Sequence, residues 1–186
     1  MTTYKVLNLD GTPCHGGVGA WSLPTKRADG SWEPGEWREA TGDLVMCGNG
    51  LHGCDGERQL VQWLGPLLVC EMEYDGEVVR GEDKVIGRRA RLLRRIEAWN
   101  ERTARLFACD CAERVLPIFE RARPGDNRPR AAIETARRFA NGAAAREELS
   151  AARAAAWAAA WAAARDAECD WQAERLRQYF TGEVTR

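Results

Sequence analysis

One stretch of the chain is so rich in alanine that it admits a single regular structure. Twelve of the nineteen residues from 151 to 169 are alanine, the residue with the highest helix propensity. The segment predicts a long, straight helix that begins near Ala144 and runs to about Phe180. Because alanine side chains are small, a neighbouring helix or a second copy of the chain can approach this helix closely.

Two tryptophans stand out on the predicted alanine-rich helix. Trp157 and Trp161 are four residues apart and therefore share one face. If they are buried, they fill the gap between this helix and its neighbours, as aromatic stripes commonly do. If they are exposed, they form a binding ridge, since tryptophan is enriched at interface hot spots. The sequence leaves both interpretations open.

The rest of the second half is also helical by its pattern. From Glu101, apolar residues recur every three or four positions up to a breaker cluster at residues 123–127. A second helix is predicted from about Pro129 to Ala140, where Asn141 and Gly142 are typical C-terminal residues. Residues 99–186 are therefore predicted to form a three-helix bundle with the long alanine-rich helix last.

The first half has the punctuation of strands and turns, because it holds most of the glycine and proline. Strands are predicted at Tyr4–Asn8 and Asp43–Cys47, and a short helix at Glu57–Leu64. The 67–79 segment is predicted as a hairpin turning at Asp75-Gly76, and the 84–96 segment as a strand leading into a connector. The fold class is thus α+β, with a β-rich domain at 1–98 and a helical domain at 99–186.

The net charge of −1 hides an uneven distribution of charged residues. Residues 1–86 carry 7 basic and 14 acidic residues, whereas residues 87–186 carry 20 basic and 14 acidic residues. Five arginines cluster at the junction between the halves, and they form either a binding patch for an acidic partner or phosphate, or a set of internal ion pairs with the acidic half. The five are Arg88, Arg89, Arg91, Arg94 and Arg95.

Thiols and imidazoles provide the candidate metal ligands. Cys47, His52 and Cys54 lie within eight residues on a glycine-rich segment, and thiolate and imidazole are groups that bind zinc. Three ligands do not complete a tetrahedral site, so Cys14, His15 or Cys70 would have to supply the fourth. The alternative is a structural histidine beside buried thiols, and no cofactor is then expected.

The same residues raise the question of catalysis. A nucleophilic pair would be Cys14 with His15, or Cys54 with His52, but neighbours in sequence rarely reach the required geometry. A nucleotide-processing enzyme centred on His52, with Glu71 or Glu73, is another alternative. No phosphate-binding glycine motif accompanies it, so the prediction is a protein without enzymatic activity.

Two segments resemble known families. The run from Cys109 to Glu120 (CDCAERVLPIFE), together with the segment from Arg123 to Arg137, resembles the helical immunity-protein family of toxin loci and phages. That resemblance implies a helical bundle that binds and blocks another protein. The segment from Cys47 to Cys54 resembles an uncharacterised phage and prophage domain with a C-x-x-G-[LF]-H-x-C motif, which implies no function.

These observations predict a binding protein, encoded by a phage or prophage, that inhibits or sequesters a partner macromolecule in immunity or anti-defence. The expected partner is a host or toxin protein. The alternative is a binder or sponge of a phosphate-bearing small ligand or signalling nucleotide, with the arginines as its clamp. Nucleic acid is disfavoured, a homo-oligomer remains open, and the lack of a signal or an apolar span predicts a cytoplasmic protein that contacts no membrane.

Overall fold

The computed structural model describes residues 2–65, 67–122, 124–150 and 165–184. Its first part is a small barrel-like sheet and its second part is helical, which confirms the α+β class. No helix within these ranges is both long enough and apolar enough to cross a membrane.

Five antiparallel strands form the main sheet, in the order β4, β7, β5, β1, β6. An additional pairing between β6 and β7 joins the sheet into a ring, which gives its barrel-like form. A separate two-stranded ribbon pairs β2 with β3. The strands are β1 (Thr3–Leu7), β2 (Thr25–Lys26), β3 (Trp32–Glu33), β4 (Arg38–Glu39), β5 (Leu51–Asp55), β6 (Leu68–Arg80) and β7 (Val85–Arg95).

Strands β6 and β7 form one long hairpin, which corrects the predicted turn at Asp75-Gly76. The chain passes through these residues within β6 as a bulge, and Gly76 supplies the positive φ of 79° that the bulge requires. The reversal comes later, where the Gly81 amide donates to the Lys84 carbonyl. The predicted strand over 84–96 is confirmed as β7.

The strand predicted at Asp43–Cys47 was also wrong. These residues form a turn in which the Val45 and Asn49 amide and carbonyl groups bond each other, and the strand begins only at Leu51. Cys47 has a φ of 62°, a left-handed conformation that interrupts a strand. The predicted helix after β5 is confirmed as α1 (Gly56–Leu60), followed by a 3-10 turn over Val61–Trp63.

The second half contains α2 (Glu101–Ala122), α3 (Arg128–Ala140) and α4 (Arg165–Thr181), with residues 146–150 helical as well. Counted with α1, five helical segments lie in the described part of the chain, so a simple three-helix bundle understates the structure. The predicted end of α3 is confirmed, because Gly142 follows it with a φ of 74°. Most of the alanine-rich stretch, residues 151–164, lies outside the described residues.

The two halves share one hydrophobic core. Tyr4 and Leu60 of the β-rich half lie in the same buried cluster as Leu106 and Leu176 of the helices. Five aromatic rings meet edge to face inside or against this cluster, with centroid distances from 5.6 to 6.3 Å. They belong to Tyr4, Trp99, Phe107, Tyr179 and Phe180. The proposed boundary between residues 98 and 99 therefore falls inside a continuous core and stays a prediction.

Candidate functional site

All five predicted binding arginines lie in β7, and four of them face acidic residues of β6. Arg89 is bonded to Asp75 at 2.7 Å and Arg88 to Glu77 at 2.9 Å. Arg91 pairs with Glu73 in the same way, and Arg94 makes a two-pronged contact with Glu71. The strand register places most of these pairs directly opposite each other. The internal ion pairs that the sequence left open as an alternative are therefore present for these four.

The paired arginines also stack on an indole ring. The guanidinium carbons of Arg89 and Arg91 lie 4.5 and 4.6 Å from the centroid of the Trp37 ring. Arg95, at the end of β7, is exposed. Carboxylates balance the charges of the other four arginines, so these arginines are poorly suited to clamp a phosphate group. Their role in partner binding stays a prediction.

The predicted zinc ligands are spread around the start of β5 rather than gathered. Cys54 is buried and its thiol pKa is raised to about 12 by burial. Cys47 is exposed, with its sulfur 3.3 Å from Lys84 Nζ, and His52 Nδ1 donates to the Gly50 carbonyl. Among the described residues no three His, Cys, Asp or Glu side chains are placed to hold a metal ion, so the geometry lends the zinc prediction no support.

A cleft of about 500 Å³ lies beside β5, between the 13–18 loop, the 47–50 turn and the 3-10 turn. Both histidines of the chain, His15 and His52, line this cleft. Three cationic side chains line it as well: Lys5 from β1, Arg38 from β4, and Lys84 from the turn between β6 and β7. Trp21 and Trp63 supply its aromatic walls. We call it the β5 cleft.

The cations of the β5 cleft make most of their contacts to neutral groups. Lys5 Nζ donates to the His52 carbonyl at 2.8 Å and lies 5.4 Å from the centre of the Trp21 ring. Arg38 stacks on the same ring at 5.0 Å and donates to the Val18, Gly19 and Ala20 carbonyls. Lys84 Nζ lies 4.6 Å from the centre of the Trp63 ring. Lys5 and Arg38 are thus positioned without being neutralised by these partners, whereas Lys84 also pairs with Asp83 at 3.1 Å.

The imidazoles and thiols of the β5 cleft are not arranged as nucleophile and base. Cys14 donates to the Val6 carbonyl at 3.5 Å, and burial raises the pKa of its thiol. His15 Nε2 lies 3.1 Å from the Trp63 carbonyl, to which it donates. Thiols with raised pKa values remain protonated at neutral pH and are weak nucleophiles. The geometry therefore supports neither Cys–His pair, which the sequence had already disfavoured as catalytic centres.

A second polar cluster, buried among the helices, is organised by Asp110 of α2. Its carboxylate accepts hydrogen bonds from Arg137 of α3 at 2.7 Å, and from Arg175 and Tyr179 of α4 at 2.6 and 2.9 Å. The Asp110 side chain is only 5% exposed. Since three elements converge on this carboxylate, the cluster fixes α2, α3 and α4 relative to each other.

Trp157 and Trp161 lie outside the described residues. The neighbouring tryptophan of α4, Trp171, is half-buried, and the Arg114 guanidinium of α2 lies 4.9 Å from the centre of its ring. Trp171 therefore packs against α2 rather than standing free in solvent.

Sequence reasoning missed three residues of the β5 cleft: Lys5, Arg38 and Lys84. They are scattered over 80 positions on three different elements, and no spacing rule connects them. One signal was present in the composition, since the chain has only three lysines and two of them are these residues. Scarce lysine in an arginine-rich chain would have been a reason to ask where each lysine lies.

Comparison with known families accounts for both halves of the chain. A family model described as domain of unknown function (DUF7666) matches residues 1–103. A family model described as Imm-5 like putative immunity protein matches residues 94–179. Both resemblances read from the sequence are thereby confirmed. No curated protein and no solved structure matches the chain significantly.

Proposed function

Because the chain belongs to the DUF7666 family and carries an Imm-5 like domain after it, we propose that it is a non-enzymatic immunity protein. In this proposal the helical half binds a toxin or a host protein and blocks it by occlusion. The match of residues 94–179 to the immunity family is the observation that carries the proposal. The proposal includes an origin in a phage or prophage and a role in anti-defence.

The packing of the helical half suits a protein that presents a fixed surface. The Asp110 cluster ties α2, α3 and α4 together, and the aromatic cluster anchors α4 to the β-rich half. A surface that is ordered before binding loses little conformational entropy on association, so more of its contact energy appears as affinity. Inhibition by occlusion requires a rigid surface of this kind and requires no catalytic residues.

Two tryptophans and one arginine are proposed to make the main contacts with the partner protein. Trp157 and Trp161 come from the alanine-rich segment and Arg95 from the end of β7, all within the matched residues 94–179. Tryptophan and arginine are the residues most enriched at interface hot spots. The proposed surface also includes the other four arginines of β7, and their contribution is proposed to be smaller because carboxylates of β6 balance their charges. They are Arg88, Arg89, Arg91 and Arg94.

The test begins with capture of a partner from cells that carry the encoding locus, followed by reconstitution with the purified partner. Inhibition by occlusion saturates at one equivalent of the chain and is reversed when the chain is removed. Arg95→Glu and the double variant Trp157→Ala/Trp161→Ala should weaken the complex at least about tenfold, the effect of losing one hot spot. Isothermal titration calorimetry measures this loss.

Arg27→Glu is the matched control, since Arg27 is an exposed arginine in the β2–β3 ribbon, far in sequence from the matched helical region. Far-ultraviolet circular dichroism establishes that each variant folds. Inactivation of the partner by substoichiometric amounts of the chain would mean a catalytic mechanism and would overturn the proposal. Equal binding by the control and the Arg95 and tryptophan variants would overturn the assigned surface.

A further inference from the structure

The β5 cleft is a second site, which neither family description assigns. We propose that it binds a small molecule carrying a phosphate group, held by Lys5, Arg38 and Lys84. The site lies in the β-rich half, and the inference stands independently of partner binding by the helical half.

The distribution of charge around the cleft is one-sided. Of the described residues that line it, three are cations and none is aspartate or glutamate. Asp83 approaches one of the three, at 3.1 Å from Lys84 Nζ, but it does not line the cleft. This differs from β7, where carboxylates of β6 balance the arginines. Among the described residues, no carboxylate forms an ion pair with Lys5 or Arg38. Cations of this kind on a concave surface create a potential that attracts an anion.

The positive charges of the cleft lie close enough to two of its lining groups, Lys5 and His52, to lower their pKa values. Burial lowers the pKa of Lys5 to about 8, and the nearby Arg38 charge acts in the same direction. Burial also lowers the pKa of His52, and the charges of Lys5 and Lys84 add to this effect. The neighbouring positive charges thus oppose protonation of Lys5 and His52, and a bound anion would offset that repulsion.

The cleft also offers a hydrogen-bond acceptor. Because Nδ1 of His52 donates to the Gly50 carbonyl at 3.0 Å, the neutral ring carries its lone pair on Nε2. With its pKa lowered, this imidazole stays neutral at pH 7 and can accept a hydrogen bond from a hydroxyl group. A ligand with both a phosphate and a hydroxyl-bearing body therefore matches the lining better than a bare inorganic ion does.

Hydrogen bonds on one side of the cleft and a constrained backbone on the other fix the shape of its walls. Arg38 holds the 13–18 loop by donating to the Val18 carbonyl at 3.0 Å and to the two carbonyls that follow it. On the opposite side, Cys47 has the single positive φ found among the described residues other than glycine. Strained backbone of this kind tends to occur at functional sites, where the surrounding structure enforces it. A volume of about 500 Å³ falls within the range of about 300–1,000 Å³ for organic ligands.

Histidine NMR gives a direct test, because the two histidines of the chain both line the cleft. The imidazole resonances of the full-length protein are followed during titration with AMP, GMP, pyrophosphate and inorganic phosphate in low salt, with adenosine as the uncharged control. The nucleotides should give saturable shifts and raise the pKa of His52, since a bound anion stabilises the imidazolium. Adenosine should give neither effect.

The three lysines supply matched variants. Lys84→Met and Lys5→Met should each weaken AMP binding about tenfold to a hundredfold, as expected for the loss of a hydrogen bond to a charged group. Lys26→Met is the control, because Lys26 pairs with Glu97 on the surface and does not line the cleft. Lys84 is the safer of the two test positions, since Lys5 is the more deeply packed and its loss also removes a bond to the His52 carbonyl.

The pH dependence of binding distinguishes a specific site from general attraction. Lys5 loses its charge as the pH rises through about 8, so the affinity for AMP should fall over that range and Lys5→Met should abolish this step. Resonances that do not move with any phosphorylated probe would overturn the inference. Shifts that persist unchanged in Lys84→Met and Lys5→Met would overturn it as well, because the anion would then lie elsewhere.

Discussion

Asp110 is the residue on which the arrangement of the helices depends most. A buried carboxylate is costly to desolvate unless its oxygens are satisfied. Here both oxygens are satisfied, one by Arg137 and the other by Arg175 and Tyr179. Glu113, one turn along α2, shares the Arg137 guanidinium at 2.6 Å. The carboxylate therefore acts as a specific connector between helices rather than as a general source of stability.

Replacing this carboxylate with the isosteric amide should be severe. Asp110→Asn removes the charge that pairs with two half-buried guanidinium groups. Breaking a fully buried pair costs about 3–5 kcal/mol, which is the upper bound expected here. The free energy of unfolding from urea titration measures the loss. Glu101→Gln is the matched control, because Glu101 makes an exposed pair with Arg105 on the same helix, and its unfolding midpoint should stay close to that of the wild type. Equal losses in the two variants would contradict the assigned role.

The role of Asp110 illustrates what the sequence could provide at the residue scale. The motif from Cys109 to Glu120 identified the family correctly. It could not indicate that Asp110 is buried, because the three donors lie 27, 65 and 69 residues further along the chain. The cations of the β5 cleft escaped prediction for the same reason, since they meet only through the closure of the sheet.

At the scale of elements, local patterns predicted the helices well, and the strands and turns of the first half less well. The limits of α2 and α3 agree with the apolar periodicity and the breaker residues around them. Asp75-Gly76 has the composition of a tight hairpin turn, yet β6 continues through it. Tertiary pairing overrides the local turn signal here, because β7 pairs with β6 on both sides of the bulge and β6 therefore continues for thirteen residues. A two-residue signal cannot report the length of the partner strand.

Gly87 of β7 makes the closure of the sheet testable. The Tyr74 ring lies against this glycine, and a Cβ built at residue 87 would come 2.1 Å from Tyr74 Cδ1. Gly87→Ala should therefore destabilise the protein by about 1–3 kcal/mol, the usual cost of overpacking. The displaced ring would also lose the hydrogen bond from its hydroxyl to the Leu51 carbonyl, now 2.8 Å long.

A double-mutant cycle tests this explanation against a general intolerance of the strand. If the Tyr74 ring is the obstacle, Gly87→Ala should cost much less in a Tyr74→Ala background than in the wild type. Gly65→Ala serves as the control, since a Cβ at residue 65 meets only the Leu67 side chain at 3.4 Å. Additive costs in the cycle would mean that the ring is not responsible. Thermal unfolding followed by circular dichroism is sufficient for all four variants.

At the scale of the whole molecule, two families meet in one folded body. The matches overlap at residues 94–103, the segment that includes Trp99. This tryptophan is 3% exposed, its ring contacts those of Phe107 and Phe180, and its indole N–H donates to the Gly65 carbonyl. Composition divided the sequence into a β-rich half and a helical half, and the boundary between residues 98 and 99 stays a prediction. The sequence could not reveal that the last helix returns to cover α1 and β1, because that contact spans more than 100 residues.

Leu176 of α4 provides the decisive test of this shared core. It is fully buried in the same cluster as Tyr4, Val6 and Leu60, so Leu176→Ala should cost about 2–5 kcal/mol through the loss of burial and the cavity left behind. If the halves unfold as one unit, the amides of β1 should lose hydrogen-exchange protection by the same free energy as those of α4. Leu9→Ala, at a position 70% exposed, should change neither. Loss of protection confined to α2, α3 and α4 would mean that the β-rich half is stable alone and that the β5 cleft needs no helical support.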